Sequence, residues 1–119
     1  MSIINFMGNT PIVKLKSKLK NSAQIYVKME EFNPGGSIKA RVGIQMIEDA
    51  EKNNIIQKGD TLIEPTGGNT GIGLAIAAAI KGYNLILTMP DNFSHEKIKT
   101  LEKFGAKIYL ANHKLGNDC

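Results

Sequence analysis

Between residues 24 and 30 apolar and polar side chains alternate. Ile25, Val27 and Met29 fall on one side and Tyr26, Lys28 and Glu30 on the other. A period of two predicts a strand. Asn33-Pro34-Gly35-Gly36 then reads as a turn cluster. Beyond it the period lengthens: Ile38, Val42, Met46 (or Ile47) and Ala50 recur at helical spacing, Ser37 suits the N-cap, and Asn53-Asn54 suits the end. Lys58-Gly59-Asp60 is a turn, 61–64 a short strand and 65–71 a loop. Residues 72–81 are apolar nearly all round and predict a buried helix with Gly82 as its C-terminal cap. Residues 84–89 predict a buried strand, and Pro90-Asp91-Asn92 a turn. Ser94 would cap a helix that Gly105 ends, and 107–111 would form the next strand.

After residue 60 the order is β-α-β-α-β with short connections. That order predicts an α/β fold, a parallel sheet with helices packed on it. The many alanines of 72–81 would let that helix lie close to the sheet. Parallel sheets are ordinarily covered on both faces. The chain ends eight residues past the last predicted strand, so the αβα layering is expected to be incomplete, as in a truncated unit.

Composition changes this picture little. Apolar residues make up 42% of the 119 residues and charged residues 22%, as in a globular domain. Trp is absent and aromatics are 6%, so the core must be mainly aliphatic. The net charge of +4 comes largely from scattered lysines (14, 16, 18 and 20, then 97, 99, 103 and 107). They form no basic arm interleaved with aromatics, which argues against nucleic acid as a partner and leaves small anions compatible. The one cysteine, Cys119, excludes an internal disulfide and a cysteine-pair metal site. Residues 1–6 lack the charged and apolar regions of a secretory signal, and the apolar run 72–80 is too short to span a bilayer. A cytoplasmic protein with no membrane partner is expected.

Two segments carry candidate chemistry. In Asn33-Pro34-Gly35-Gly36-Ser37-Ile38-Lys39-Ala40-Arg41 a lysine sits in the first turn of a helix, directly after two glycines that permit a tight bend and leave room for a planar ligand. A helix N-terminus disfavours an ammonium group. Partial burial there would favour the neutral amine that forms a Schiff base. Taken alone, the segment reads more simply as an exposed lysine after an ordinary turn. The second segment, Glu64-Pro65-Thr66-Gly67-Gly68-Asn69-Thr70-Gly71-Ile72-Gly73, joins a strand to a helix at the carboxyl end of a parallel strand, where open α/β sheets bind ligands. Four of its residues 67–73 are glycine, and Thr66, Asn69 and Thr70 add hydroxyl and amide groups. A carboxylate or phosphate suits exposed backbone N–H groups at a helix start.

Other patterns carry less. Gly71-Ile72-Gly73-Leu74-Ala75-Ile76 lacks the third glycine of the dinucleotide fingerprint, and no acid follows the next strand. No Gly-Lys-Ser/Thr phosphate loop is present. His95 and His113 lack metal-ligand spacing and read as surface residues. Glu30-Glu31 and Glu48-Asp49 read as exposed charges.

Together the two segments resemble the fold-type II pyridoxal-phosphate (PLP) enzymes, specifically the cysteine synthase / cystathionine β-synthase family. Gly8-Asn9-Thr10-Pro11-Ile12-Val13 with Leu15 is similar to the family's opening. Residues 33–39 with Arg41 resemble its cofactor-lysine motif, and 64–75 its substrate loop. Met89-Pro90, Ser94-x-Glu96-Lys97 and Phe104-Gly105-Ala106 continue the likeness across nearly the whole chain. The resemblance implies the tryptophan synthase β-like αβα fold. It implies that Lys39 bonds PLP and later moves the substrate α-proton, and that Asn69 hydrogen-bonds the oxygen on the pyridine ring. It implies that Thr66, Gly67, Gly68, Asn69 and Thr70 form the loop that grips the substrate α-carboxylate. The implied reaction is β-replacement on an activated serine, best matched by cysteine synthase making cysteine and acetate from O-acetylserine and sulfide, with a cystathionine β-synthase-type lyase as alternative. A non-catalytic remnant that only oligomerises or binds a small anion is the rival of another class.

The resemblance also implies that residues 1–40 belong to the larger PLP domain and 41–119 to the smaller substrate-loop domain. Implied partners are an amino-acid substrate, a second copy of the chain and, in full-length relatives, serine acetyltransferase. Two departures stand out. Gly67 occupies a position that is usually serine in the family, which removes a hydroxyl and should loosen the loop. The family's cofactor-phosphate loop and its serine facing the pyridine nitrogen would lie beyond residue 119.

Overall fold

The computed structural model describes residues 2–16 and 23–114, so Lys18, Lys20 and Cys119 lie outside the described residues. The strands are β1 (Ile12–Lys14), β2 (Tyr26–Lys28), β3 (Thr61–Pro65), β4 (Asn84–Pro90) and β5 (Lys107–Ala111). The helices are α1 (Lys39–Lys52), α2 (Asn69–Lys81) and α3 (His95–Lys103), with single 3₁₀ turns at Ile3–Phe6 and Glu30–Phe32. Among the described residues no helix is long and apolar enough to cross a membrane.

The expected parallel sheet is present. β3, β4 and β5 lie in that order, all parallel, with Leu62 opposite Leu85 and Leu87 opposite Ile108. Leu85, Leu87 and Met89 point from β4 into the core, where they meet Leu74, Ala75, Ala77 and Ala78 of α2 and Leu101 of α3. The opposite face lacks such cover among the described residues: Ile63 on β3 is 65% exposed and Tyr109 on β5 is 49% exposed. The layering is thus helices on one side of a three-stranded sheet.

Three sequence expectations are corrected. The strand expected over 24–30 pairs only over Tyr26–Lys28, antiparallel to β1, and its alternation fully buries neither side: Val27 and Met29 are half-buried, while Ile25 and Tyr26 are exposed. A two-stranded ribbon has too little surface to bury a face by itself. Helix α2 begins at Asn69 rather than at 72, so the loop expected over 65–71 shortens to the residues before Asn69. Gly, Asn and Thr are weak helix formers, but packing overrides weak propensity. Ser94 stands at the N-cap of α3 without a side-chain capping bond. The C-terminal cap of α2 is as expected, with Gly82 in the left-handed region at φ 83°.

Candidate active site

Lys39 is the first residue of α1; the N-cap is Ile38, which makes no side-chain capping bond, and the expected cap Ser37 stands one residue earlier, its hydroxyl accepting the Lys39 N–H at 3.2 Å. Gly35 and Gly36 both hold the left-handed conformation, at φ 88° and 73°. That conformation explains the glycine pair before the lysine. A Cβ added to Gly36 would meet nothing within 4 Å, whereas one on Gly35 would lie 3.0 Å from both Ile72 and Ile76, so the bend is open at Gly36 and packed on α2 at Gly35. Lys39 itself is exposed, and the partial burial considered above is not met.

The turn leading to Lys39 is tied down from below. Asn33 is 4% exposed; its Oδ1 accepts the Gly8 N–H at 2.8 Å, and its Nδ2 donates to the Glu30 carbonyl at 2.9 Å and to Glu30 Oε2 at 2.8 Å. Arg41 donates through Nε to Glu30 Oε2 at 2.8 Å and through Nη2 to Glu30 Oε1 at 2.9 Å and the Gly8 carbonyl at 2.8 Å. Thr10 donates its hydroxyl to Glu30 Oε1 at 2.8 Å, while Lys28 donates to the Thr10 carbonyl. Both carboxylate oxygens of Glu30 are therefore engaged, and its side chain is only 19% exposed. The Arg41 guanidinium, chiefly, holds the Glu30 carboxyl down at about 2, with Thr10 and Asn33 adding to it against the opposing effect of burial. Glu30 is not the free surface charge expected from sequence. Glu31, Glu48 and Asp49 are exposed, although Glu48 lies 3.7 Å from Lys81.

The second segment lies at the carboxyl end of β3. Thr66 is half-buried, and its Oγ1 accepts the Gly68 N–H at 3.3 Å, bending the chain before the helix. Gly68 is the N-cap of α2 and offers no side-chain capping bond. The first N–H groups of a helix have no intrahelical acceptor, so Asn69, Thr70 and Gly71 present donors at the positive end of α2. Thr70 is half-buried and Asn69 is exposed. A cavity of about 420 Å³ opens here, lined by Gly67, Gly68, Asn69, Lys97 and Thr100 among others. Another cavity, of about 300 Å³, lies between α1 and β3 around Met46, Ile56 and Leu62 and holds none of the expected site residues.

The two segments meet through a helix crossing. A Cβ on Gly43 of α1 would stand 2.4 Å from the Gly73 carbonyl carbon. One on Gly73 of α2 would stand 2.3 Å from the Lys39 carbonyl oxygen. Backbone therefore rests on backbone, and the Lys39 end of α1 lies against α2 one turn beyond Asn69. Glu51, Lys81 and Tyr83 lock the far ends of the two helices, with Lys81 Nζ 2.7 Å from Glu51 Oε2 and the Tyr83 hydroxyl donating to Glu51 Oε1 at 2.9 Å. The Lys39 backbone is so brought against α2 one turn past its start, while the cavity at the loop is lined without Lys39.

Sequence reasoning missed Glu30, Asn33 and Thr10 as the support of the lysine turn, and Phe93, whose ring lies against Gly67. No local signal in the sequence pairs Phe93 with Gly67.

The residues present fit PLP at the end that reacts. An exposed lysine follows a glycine bend that is open at Gly36, and its backbone carbonyl lies against Gly73, one turn past the start of α2.

A family model described as pyridoxal-phosphate dependent enzyme matches residues 3–118. A cysteine synthase of a Flavobacterium species is 50% identical over 110 residues, covering 92% of this chain and 36% of the relative. A cystathionine β-synthase of Apis mellifera is 50% identical over 109 residues, covering 89% of this chain and 22% of the relative. Among solved structures, an O-ureido-L-serine synthase superposes with TM-score 0.90 at 41% identity, over 98% of this chain and 37% of that one. A hydrogen sulfide-producing enzyme from Fusobacterium nucleatum superposes with TM-score 0.88 at 44% identity, over 96% of this chain and 38% of that one. The chain thus spans about a third of the length of the cysteine synthases it matches. With the lysine turn and the glycine-rich helix start arranged as described, and a match over nearly every residue, the chain belongs to the pyridoxal-phosphate dependent enzyme family.

Proposed function

We propose that this chain supplies the cofactor lysine and the substrate loop for PLP-dependent β-replacement on an activated serine, most specifically cysteine synthase chemistry on O-acetylserine and sulfide. The observation that carries it is the contact of Gly73 with the Lys39 carbonyl, which sets an exposed lysine beside an uncapped helix start. In this reading Lys39 Nζ holds the cofactor and then moves the α-proton. Asn69 donates to the ring oxygen. The N–H groups of Asn69 and Thr70, with the hydroxyls of Thr66 and Thr70, orient the α-carboxylate through charge-assisted hydrogen bonds, and Gly67 and Gly68 shape the bend that presents them. PLP supplies the electron sink; the protein contributes position and electrostatics.

Residues 1–40 belong, in this reading, to a larger cofactor domain and 41–119 to a smaller one that carries the loop. The chain pairs with a second copy, and its place is the cytoplasm.

The test is the visible absorbance of the chain after PLP is added and the excess removed, beside a Lys39→Ala control. Expected is a retained band in the parent chain, absent from the control, with a borohydride-stable adduct located at Lys39 by mass spectrometry. Equal absorbance in both would defeat the assignment of Lys39. Binding of acetate that survives Lys39→Ala without any PLP adduct in the parent would favour a small-anion module instead.

A further inference from the structure

We infer that Phe93 is the positioning residue of the carboxylate loop and works as one unit with Gly67, its ring standing where a side chain at 67 would stand. The inference rests on the carboxylate reading of the loop given above.

Gly67 is absent from the glycines that adopt positive φ, so its backbone does not call for glycine. What glycine supplies at 67 is room. A Cβ there would lie 2.5, 2.8 and 3.0 Å from Cε1, Cδ1 and Cζ of Phe93. The neighbouring Gly68 is different, since a Cβ there would find its nearest atom, Thr66 Oγ1, at 4.0 Å. Only position 67 is filled by the ring.

The ring is itself held in place. Phe93 is half-buried and packs against the core. Its N–H donates to the Pro90 carbonyl at 3.3 Å. The Lys97 ammonium lies 5.5 Å from the ring centre, a cation–π contact, and Lys97 also lines the loop cavity. A loop with adjacent glycines is otherwise loose, because glycine restricts the backbone least. Phe93 gives this loop the packing that a side chain at 67 would have given. The carboxylate is then met by backbone N–H groups and the hydroxyls of Thr66 and Thr70, with an aromatic ring behind position 67.

Residues in contact are energetically coupled. Phe93→Ala should loosen the loop, and Gly67→Ser should push it off the ring, yet the double variant makes room for the new side chain. The experiment is an NMR titration of the 119-residue chain with sodium acetate, following the amides of 66–71 and the Gly67 α-protons. It compares the parent, Phe93→Ala, Gly67→Ser and the double variant, with Phe93→Leu added to keep the core filled should the alanine variant fail to fold. Expected are α-protons of Gly67 shifted by the ring current in the parent and not in either Phe93 variant. Acetate binding should weaken about threefold or more in each single variant, and the double variant should bind better than Gly67→Ser alone. Unchanged binding in the single variants, or effects that simply multiply in the double, would overturn the role of Phe93 while leaving the carboxylate reading intact. Absence of any acetate response in the parent would overturn that reading, and this inference with it.

Discussion

At the scale of single residues, Glu30 holds the lysine turn in place. It joins Arg41, Thr10 and Asn33, residues from three separate parts of the chain, beneath Gly35-Gly36 and Lys39. Its folded pKa, about 2, lies below the ordinary 4.5. The unfolded chain therefore takes up a proton in that window before the folded one does. Stability from this carboxylate is fully present above 4.5 and is lost as pH falls through 4.5 toward 2. Urea midpoints measured down that range should fall for the parent and fall less steeply for Glu30→Gln. Equal slopes would remove Glu30 from the account. Glu30→Gln should also lower the midpoint at neutral pH, because Arg41 keeps its place but loses an ionised partner. The glycine-rich turns before Lys39 and before α2 were legible in the sequence, since their signal lies in consecutive residues. The sequence concealed Glu30, whose partners Thr10 and Arg41 stand 20 and 11 residues away. A carboxylate that will find a distant guanidinium looks, in one dimension, like any surface charge.

At the scale of elements, the Gly43–Gly73 crossing joins the two halves of the site. Periodicity placed α1 and the body of α2 correctly, and short connections gave the parallel order of β3, β4 and β5. It did not show that the small residues of α2 serve helix α1 as well as the sheet, because nothing in a stripe of glycine and alanine says which neighbour approaches. Nor did it place the start of α2, where Gly68, Asn69 and Thr70 are poor helix formers held by the fold around them. Gly73→Ala would drive a methyl into the Lys39 carbonyl and should cost about 1–3 kcal/mol, as overpacking does. Leu87→Ala, at a side chain fully buried beneath α2, should cost about 2–5 kcal/mol. The pair separates stability from site geometry. Compared at a temperature where both variants remain folded, Gly73→Ala should lose the PLP adduct at Lys39 more completely than Leu87→Ala, despite the smaller loss of stability. Adduct yield that follows stability alone would mean that the crossing does not position the lysine.

At the scale of the whole molecule, the folded chain leaves much apolar surface open. Its accessible area is 8325 Å², against about 6300 Å² for a compact monomer of this mass. Its radius of gyration is 17.4 Å, against about 13.5 Å for a compact domain of this length. Part of the open surface is apolar. Ile12, Val13 and Tyr26 are exposed on the β1–β2 ribbon, and Ile63 and Tyr109 are exposed on the uncovered face of the parallel sheet. Among the described residues β3 and β5 are both edge strands, and edge strands invite pairing with another chain. Apolar patches of this kind drive association in water. The 119-residue chain should therefore associate with itself reversibly, and sedimentation velocity over a tenfold range of concentration should show the mean mass rising. Ile63→Lys sets a charge on the open face without touching the core or the lysine turn, so it should lower the association while leaving the far-ultraviolet circular dichroism unchanged. A compact monomer at every concentration would mean that this face is covered in solution by the chain's own residues. Association unaffected by Ile63→Lys would move the contact to the β1–β2 ribbon, where Ile12→Lys is the corresponding change.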